Sequence, residues 1–389
     1  MIQGDFTYIK TDKVIYGKPA AETLAAEAAR LGAERVFLLA SGTLARETDE
    51  IDKVKAALGA RYAGLADHLP AHTPRAAVLD ASAKARAANA DLIVSFGGGS
   101  ATDGAKLMQL CLAHDITEHD QFDDFRIITR SDGSTQRPDY AGPTVRQIAI
   151  PTTLSAGEFN PLAGCTDERR KMKEVYSHPL LAPQSIILDP APTVRTPMWL
   201  WLSSGVRAVD HAVETLCSLG SNPYCDGTAM QALRLLSQGL PRVKADGNDL
   251  EARLMCQLGA WLSMVIVQGA VPLGASHGIG HVLGGTCDVP HGHTSCVMLP
   301  AVLRWNVSIN GERQKLVAEA FGQPGAAAGE VVGSFIAGLG MPRTLADVGV
   351  GEDQYELIAR NSMHDPWVHS NPRPIEGPAQ VMEILRLAA

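Results

Sequence analysis

Four histidines, His277, His281, His291 and His293, crowd into the stretch Gly274–His293. His277 and His281 are four residues apart, so on a helix they share one face. A Gly-Gly pair and Pro290 stand between them and His291, residues that end a helix and reverse the chain. Two imidazoles on one face with a third returning to them have the geometry of a metal site. The same groups, left without a metal, can polarise a carbonyl and supply a proton. Upstream, Arg207 and His211 are also four apart and can share a face, while Asp210 lies roughly 100° round the helix from His211. Arg207 decides between the two chemistries. A guanidinium cannot be a ligand, its fixed charge repels a dication, and if buried it needs an anionic partner.

A second constellation suits phosphate. The apolar run Asp91–Phe96 reads as a strand and passes directly into Gly97-Gly98-Gly99-Ser100, which opens the helical stretch Ala101–Met108. Glycines let a backbone approach a pyrophosphate closely, and the free amides of a helix start turn their positive ends toward it. The run lacks the G-x-G-x-x-G spacing of the ordinary dinucleotide fingerprint. Pro151–Asn160 offers further hydroxyls and a glycine to line a cofactor site.

The elements that must position these groups follow from periodicity. Residues 6–16 read as two short strands round a polar turn, followed by a helix from Pro19 to about Arg30, ended by Gly32. Val36–Ala40 has the short apolar run of a buried parallel strand, and helical patterns occupy 47–58 and 74–88. Gln147–Ile150 and Ile186–Pro190 complete the strands. This alternation predicts a parallel sheet with helices on both faces, taking ligands at the carboxyl ends of its strands. Residues 114–146 are polar and aperiodic and read as a long solvated surface excursion. Beyond Pro197 the periodicity is helical throughout, over 203–220, 226–240, 250–271 and 313–321. The expected organisation is an α/β domain over 1–190 and an all-helical domain over 191–389.

Bulk composition narrows the function classes. A chain of 389 residues exceeds one ordinary core. With 34 basic against 42 acidic residues, a net charge of −8, and no long block of either sign, neither nucleic acid nor an anionic membrane is an expected partner. Seven cysteines without a C-x-x-C pair argue against a disulfide framework and for the cytoplasm. The first residues, Met1–Tyr8, lack the features of a secretory leader, and no run of about eighteen apolar residues suggests a membrane span.

Taken together these motifs resemble the iron-containing alcohol dehydrogenase family over nearly the whole chain, and within it the maleylacetate reductase branch, which serves aromatic catabolism. The matching pieces are Gly97–Lys106, Pro151-Thr152-Thr153 with Gly157-Glu158, Asp210–Glu214, His277–His281 and Pro290-His291. The early placing of Glu158 and the segment Asn371–Pro374 favour the reductase branch. The resemblance implies a dehydroquinate synthase-like architecture, a dinucleotide-binding α/β domain followed by helices, and pairing through N-terminal strands into a homodimer. It implies that Gly98, Gly99 and Ser100 hold the pyrophosphate of NAD or NADP, that Thr152 and Thr153 lie along the cofactor, and that Asp103 and Lys173 belong to its pocket. At Ser41 many members carry an aspartate, which would bond the ribose hydroxyl and repel an extra phosphate; serine admits either nucleotide.

Metal-dependent members bind iron or zinc through an aspartate and three histidines. His211, His277 and His291 match the histidines, but Arg207 stands at the aspartate position, and Asp210 is expected to face elsewhere. The expectation is therefore a metal-independent reductase that transfers hydride to a small carbonyl or enone bearing a carboxylate. Arg207 would clamp the carboxylate and His281 would supply the proton, with His277, His291 and His211 beside it. The alternatives are a metal-dependent alcohol dehydrogenase with His211, His277 and His291 as ligands, a sugar-phosphate cyclase, and a nucleotide-binding protein without catalysis.

Overall fold

The computed structural model describes residues 6–67, 69–129 and 135–389. These divide into two compact units. One comprises Tyr8–Ile128 and Thr135–Thr196, and the other contains Pro197–Ala389 with short stretches from elsewhere in the chain.

The first unit is built on parallel strands. In chain order it runs β1 (Lys13–Tyr16), α1 (Ala20–Arg30), β2 (Val36–Ala40), α2 (Gly42–Glu47), α3 (Glu50–Leu58), β3 (Tyr62–Ala66), α4 (Arg75–Ala87), β4 (Leu92–Gly97) and α5 (Gly99–Ala113). After two short strands, β5 (Ile128–Thr129) and β6 (Thr135–Gln136), come β7 (Arg146–Pro151), β8 (Leu162–Asp167), β9 (Met172–Ser177) and β10 (Ser185–Leu188). The main sheet has the order β1-β10-β7-β4-β2-β3 and pairs parallel throughout.

Alternation along each strand fills two cores. Leu38, Val94 and Ile148 point to the layer of α1 and α3, where they meet Leu24, Ile51 and Val54. Phe37, Leu39 and Ile93 point to the other face and pack on Val78, Ala81, Leu107 and Leu110 of α4 and α5. Side chains of a central strand are buried on both faces, which is why these strands read as unbroken apolar runs. The glycine turn after β4 therefore lies at the carboxyl end of a fully buried strand.

Three expectations need correction. Residues 6–16 contain one strand, β1, not two. The antiparallel hairpin β8–β9 was not anticipated, and neither was β3. Within 114–146, part of which (130–134) lies outside the described residues, the segment His119–Asp124 is not simply solvated. Phe122 is buried beneath the Arg75 guanidinium, and Arg75 pairs with Asp123 at 2.7 Å, Asp167 at 3.5 Å and Glu174. A buried arginine shared by three carboxylates ties this turn to the hairpin.

The second unit is helical among the described residues: α6 (Met198–Cys217), α7 (Pro223–Ala245), α8 (Leu250–Ser263), α9 (Val265–Gln268), α10 (Ala275–Cys287), α11 (His291–Ala320), α12 (Ala328–Gly338), α13 (Tyr355–Ser362), α14 (Pro366–His369) and α15 (Pro378–Leu387). One of its cores joins Ile279 and Leu283 of α10 to Val297, Met298 and Trp305 of α11 and to Ile358, Val368 and Ile384. Leu250–Gln268 is long and apolar enough by composition to cross a membrane. It packs on α6 and α7 with Arg253 and Gln257 buried, as a core helix does.

Candidate active site

Helix α6 is buried continuously from Trp201 to Cys217, yet it carries Arg207, Asp210, His211 and Glu214. Their spacing of three and four residues places them along one stripe. Ionisable side chains inside a core need partners or a task. Glu214 finds partners at the start of α10. Its carboxylate accepts the amides of Gly274 at 2.9 Å and Ser276 at 3.1 Å, while Asn371 Oδ1 accepts that of Ala275 at 3.2 Å. A carboxylate set on the positive end of a helix is favourable. The same Glu214 lies 2.8 Å from His277 Nδ1.

Asp210 departs from its expected place. Its Oδ2 accepts a hydrogen bond from Ser276 Oγ at 2.9 Å and sits 3.5 Å from His277 Nδ1. Residues 207, 210, 211 and 214 fall within one arc of about 100° with Asp210 and His211 at its two edges, and from its edge Asp210 still reaches Ser276 and His277 of α10. Burial, reinforced by the charge of Glu214, pushes Asp210 up to about 8. Burial likewise raises Glu214 to about 7, against the pull of its amide partners and Arg207.

Arg207 is 7% exposed, and its Nη1 donates to Ser295 Oγ at 3.3 Å. Among the described residues it forms no ion pair. Burial lowers its proton affinity, opposed by Asp210, Glu214 and Asp365. Among the described residues Ser295 Oγ accepts one of its five guanidinium N–H groups.

The imidazoles form two stacked pairs. His211 and His277 have ring centroids 4.7 Å apart, tilted by 27°. Burial holds both well below the usual histidine range, assisted by each site's neighbours: His277 and Arg207 for His211, Arg207 and His281 for His277. His281 and His291 lie 5.5 Å apart and nearly parallel at 8°. Asp365 Oδ2 stands 2.9 Å from His281 Nδ1, and the Trp367 ring is 4.4 Å from His281 and 6.0 Å from His277. Gly278 makes this approach possible, because a Cβ there would stand 2.8 Å from the Val368 amide nitrogen. His293 is not part of either pair; it stacks edge-on against Trp199 at 5.8 Å.

Toward a bound dication these donors pull in opposite directions. Among the described residues His211 Nδ1 and His277 Nε2 have no hydrogen-bond partner, as ligand atoms require. Against them stands Arg207, whose positive charge disfavours a second proton on either ring and acts against a metal ion for the same reason. The donor atoms of Asp210, Glu214 and His277 do cluster within 4.8 Å of one another. Both acids are shifted toward their protonated forms, and Glu214 already serves two amides. With Glu214 committed to two amides and to His277, and with the fixed charge of Arg207 beside the rings, this donor set is a poor fit to a dication.

In the α/β unit the glycine turn fits a phosphate. Gly98 precedes α5 in an extended conformation, and a Cβ there would stand 3.0 Å from Thr153 Cγ2; one at Gly99 would stand 3.0 Å from Ser155 Oγ. The first turn of α5, with Ser100, carries no acid. The Thr152 amide donates to Gly97 O at 2.9 Å, which sets Thr153 beside the turn. Ser41 ends β2, donates its amide to Phe96 O at 2.9 Å and accepts from Leu44 N at 3.4 Å. Asp103 Oδ2 accepts from Gly164 N at 3.1 Å, and a Cβ on Gly164 would meet both Lys173 Cε at 2.9 Å and Asp103 Oδ2 at 3.4 Å. The hairpin thus brings Lys173 to Asp103. Lys106 is buried and donates to the carbonyls of Gly157 and Leu162, each at 2.6 Å, pinning the segment behind Thr153.

Sequence reasoning missed Ser295, Asp365 and Trp367 and assigned no role to Glu214. For Glu214 a signal existed, since it completes a polar stripe on an otherwise apolar helix. Asp365 shows only the local mark of a helix cap, its Oδ1 accepting from Trp367 N at 2.9 Å.

The family descriptions "Iron-containing alcohol dehydrogenase" and "Fe-containing alcohol dehydrogenase family, C-terminal" match residues 11–190 and 201–389. Dehydrogenase FUM7 of Gibberella moniliformis is 32% identical, covering 97% of this chain and 96% of its own length. Maleylacetate reductase of a Rhizobium species is 30% identical over 94% of this chain and 92% of its own. The crystal structure of maleylacetate reductase from Agrobacterium tumefaciens superposes with a TM-score of 0.83 at 28% identity, covering 100% of this chain and 98% of that one. The chain belongs to the iron-containing alcohol dehydrogenase family, on its maleylacetate reductase branch, and is an oxidoreductase.

Proposed function

We propose that the protein is an NAD(P)H-dependent, metal-independent reductase of a small carbonyl or enone carrying a carboxylate, similar in action to maleylacetate reductase. The observation that carries this reading is Arg207, a buried guanidinium with one hydrogen bond to Ser295 and no ion pair among the described residues. Such a group is satisfied by a planar carboxylate that accepts two of its donors.

The nicotinamide, when bound, supplies the hydride. Gly98, Gly99, Ser100, Thr152 and Thr153 would hold the nucleotide, with Asp103 and Lys173 in its pocket and Ser41 toward the ribose. Arg207 fixes the substrate carboxylate. His281, its ring set by Asp365, gives the proton that completes the reduction. His277 and His211 stay neutral and offer polar ring atoms without adding charge, and His291 stacks on His281 to hold it. A cytoplasmic homodimer accompanies this reading. It is supported by seven unpaired cysteines and by β1 lying at an edge of the main sheet.

The test compares Arg207→Met with the parent enzyme on maleylacetate and on neutral aldehydes. Loss of charged hydrogen bonds raises KM for the acid by about 10- to 100-fold and leaves neutral substrates nearly unchanged. Equal effects on both remove the carboxylate clamp. The second reading, a metal-dependent alcohol dehydrogenase, draws on the unpartnered His211 Nδ1 and His277 Nε2. Activity lost to a chelator and restored by iron or zinc would establish it instead.

A further inference from the structure

We propose that Arg46 recognises the 2′-phosphate of NADPH and makes this chain prefer NADPH to NADH, an inference that rests on the nucleotide reading above.

Position is the first argument. The turn after β2, Ser41-Gly42, adjoins the glycine turn after β4: Ala40 pairs with Phe96, and a Cβ at Gly97 would stand 3.1 Å from Ser41 Cβ. In doubly wound sheets the side chain beyond the neighbouring strand meets the adenosine ribose, and its charge decides whether a hydroxyl or a phosphate is accepted there. Here that residue is a neutral serine, and Gly42, Thr43 and Leu44 add no acid.

Arg46 itself is the second argument. Its side chain folds back one turn of α2 and lies over Gly42, so closely that a Cβ there would stand 2.8 Å from both Cζ and Nη1. Glycine at 42 leaves the room this guanidinium occupies, one residue from Ser41. Among the described residues Arg46 makes no hydrogen bond and no ion pair. The nearby acids Asp49 and Glu50 are instead taken by Lys53, at 3.1 and 2.8 Å. An exposed arginine whose guanidinium lies over Gly42, with its donors unused among the described residues, can meet a phosphate through two N–H groups at once.

Binding of 2′,5′-ADP and of 5′-AMP to the purified protein, measured by calorimetry, isolates this phosphate without any turnover. The parent binds 2′,5′-ADP at least about tenfold more tightly than AMP, and the advantage shrinks with added salt, as for an exposed ion pair. Arg46→Gln removes most of that ratio by weakening 2′,5′-ADP, and Arg46→Lys keeps part of it, with thermal melts confirming the fold of each. A ratio near one in the parent, or a ratio that Arg46→Gln leaves unchanged, sinks the Arg46 assignment while nucleotide binding stands. If neither compound nor NADH binds, the nucleotide reading falls and takes this proposal with it.

Discussion

His277 and Glu214 stand 2.8 Å apart, ring Nδ1 to carboxylate Oε2, and that carboxylate also receives the amides of Gly274 and Ser276. One side chain on α6 therefore starts α10 and orients the first imidazole that α10 carries. Glu214→Ala strands two amides and a buried ring nitrogen. It is expected to cost about 3 kcal/mol, read as a lower midpoint in urea unfolding with an unchanged slope. A variant as stable as the parent would show that α10 finds its start without Glu214.

The family resemblance implies that Arg207 stands where metal-dependent members carry an aspartate. Arg207→Asp exchanges a repelling cation for an oxygen ligand beside His211, His277 and His291. The variant is expected to take up close to one equivalent of zinc and to gain thermal stability with it, while the parent does neither. Equal zinc content in both proteins, by elemental analysis after dialysis, would contradict the role given to this charge.

Asp365 Oδ2 stands 2.9 Å from His281 Nδ1. Asp365→Asn leaves the shape of the site but weakens the hold on the ring and its proton. A fall in kcat of at least about tenfold is expected, with KM changed little, because general acid catalysis is worth that or more. A rise in KM at constant kcat would place Asp365 in binding and not in proton delivery.

Glu158 is buried behind the glycine turn, and burial raises it from 4.5 to about 7. The folded chain thus holds a proton that the unfolded chain releases between these values. The stability this provides is fully present below 4.5 and is lost as pH rises through 7. Glu158→Gln stays neutral and loses nothing over that range. Its melting temperature relative to the parent is expected to climb steadily from about pH 5 to about pH 8, for a gain approaching roughly 3 kcal/mol. A constant difference across this range would mean that Glu158 ionises normally.

Much of the architecture is written in local pattern. Val36–Ala40 and Leu92–Gly97 are buried on both faces, so their apolar runs announce central parallel strands. The strand, glycines and helix of 92–113 are contiguous, and the arginine on α6 is visible by type alone. Strand β3 escaped notice because most of its residues are only half-buried, and β8–β9 because its outward positions are polar or exposed.

The site's wiring is another matter. Asp210 and Ser276 are 66 residues apart, His277 and Glu214 63, His281 and Asp365 84. Residue types and spacing within one helix determined which groups could act: a buried guanidinium and a set of imidazoles in place of a complete ligand set. Which carboxylate meets which ring was decided only when α6, α10 and the 365–369 turn packed together. A side chain's neighbours along the chain set its face, while burial against distant segments sets its partners, its proton affinity and so its chemistry.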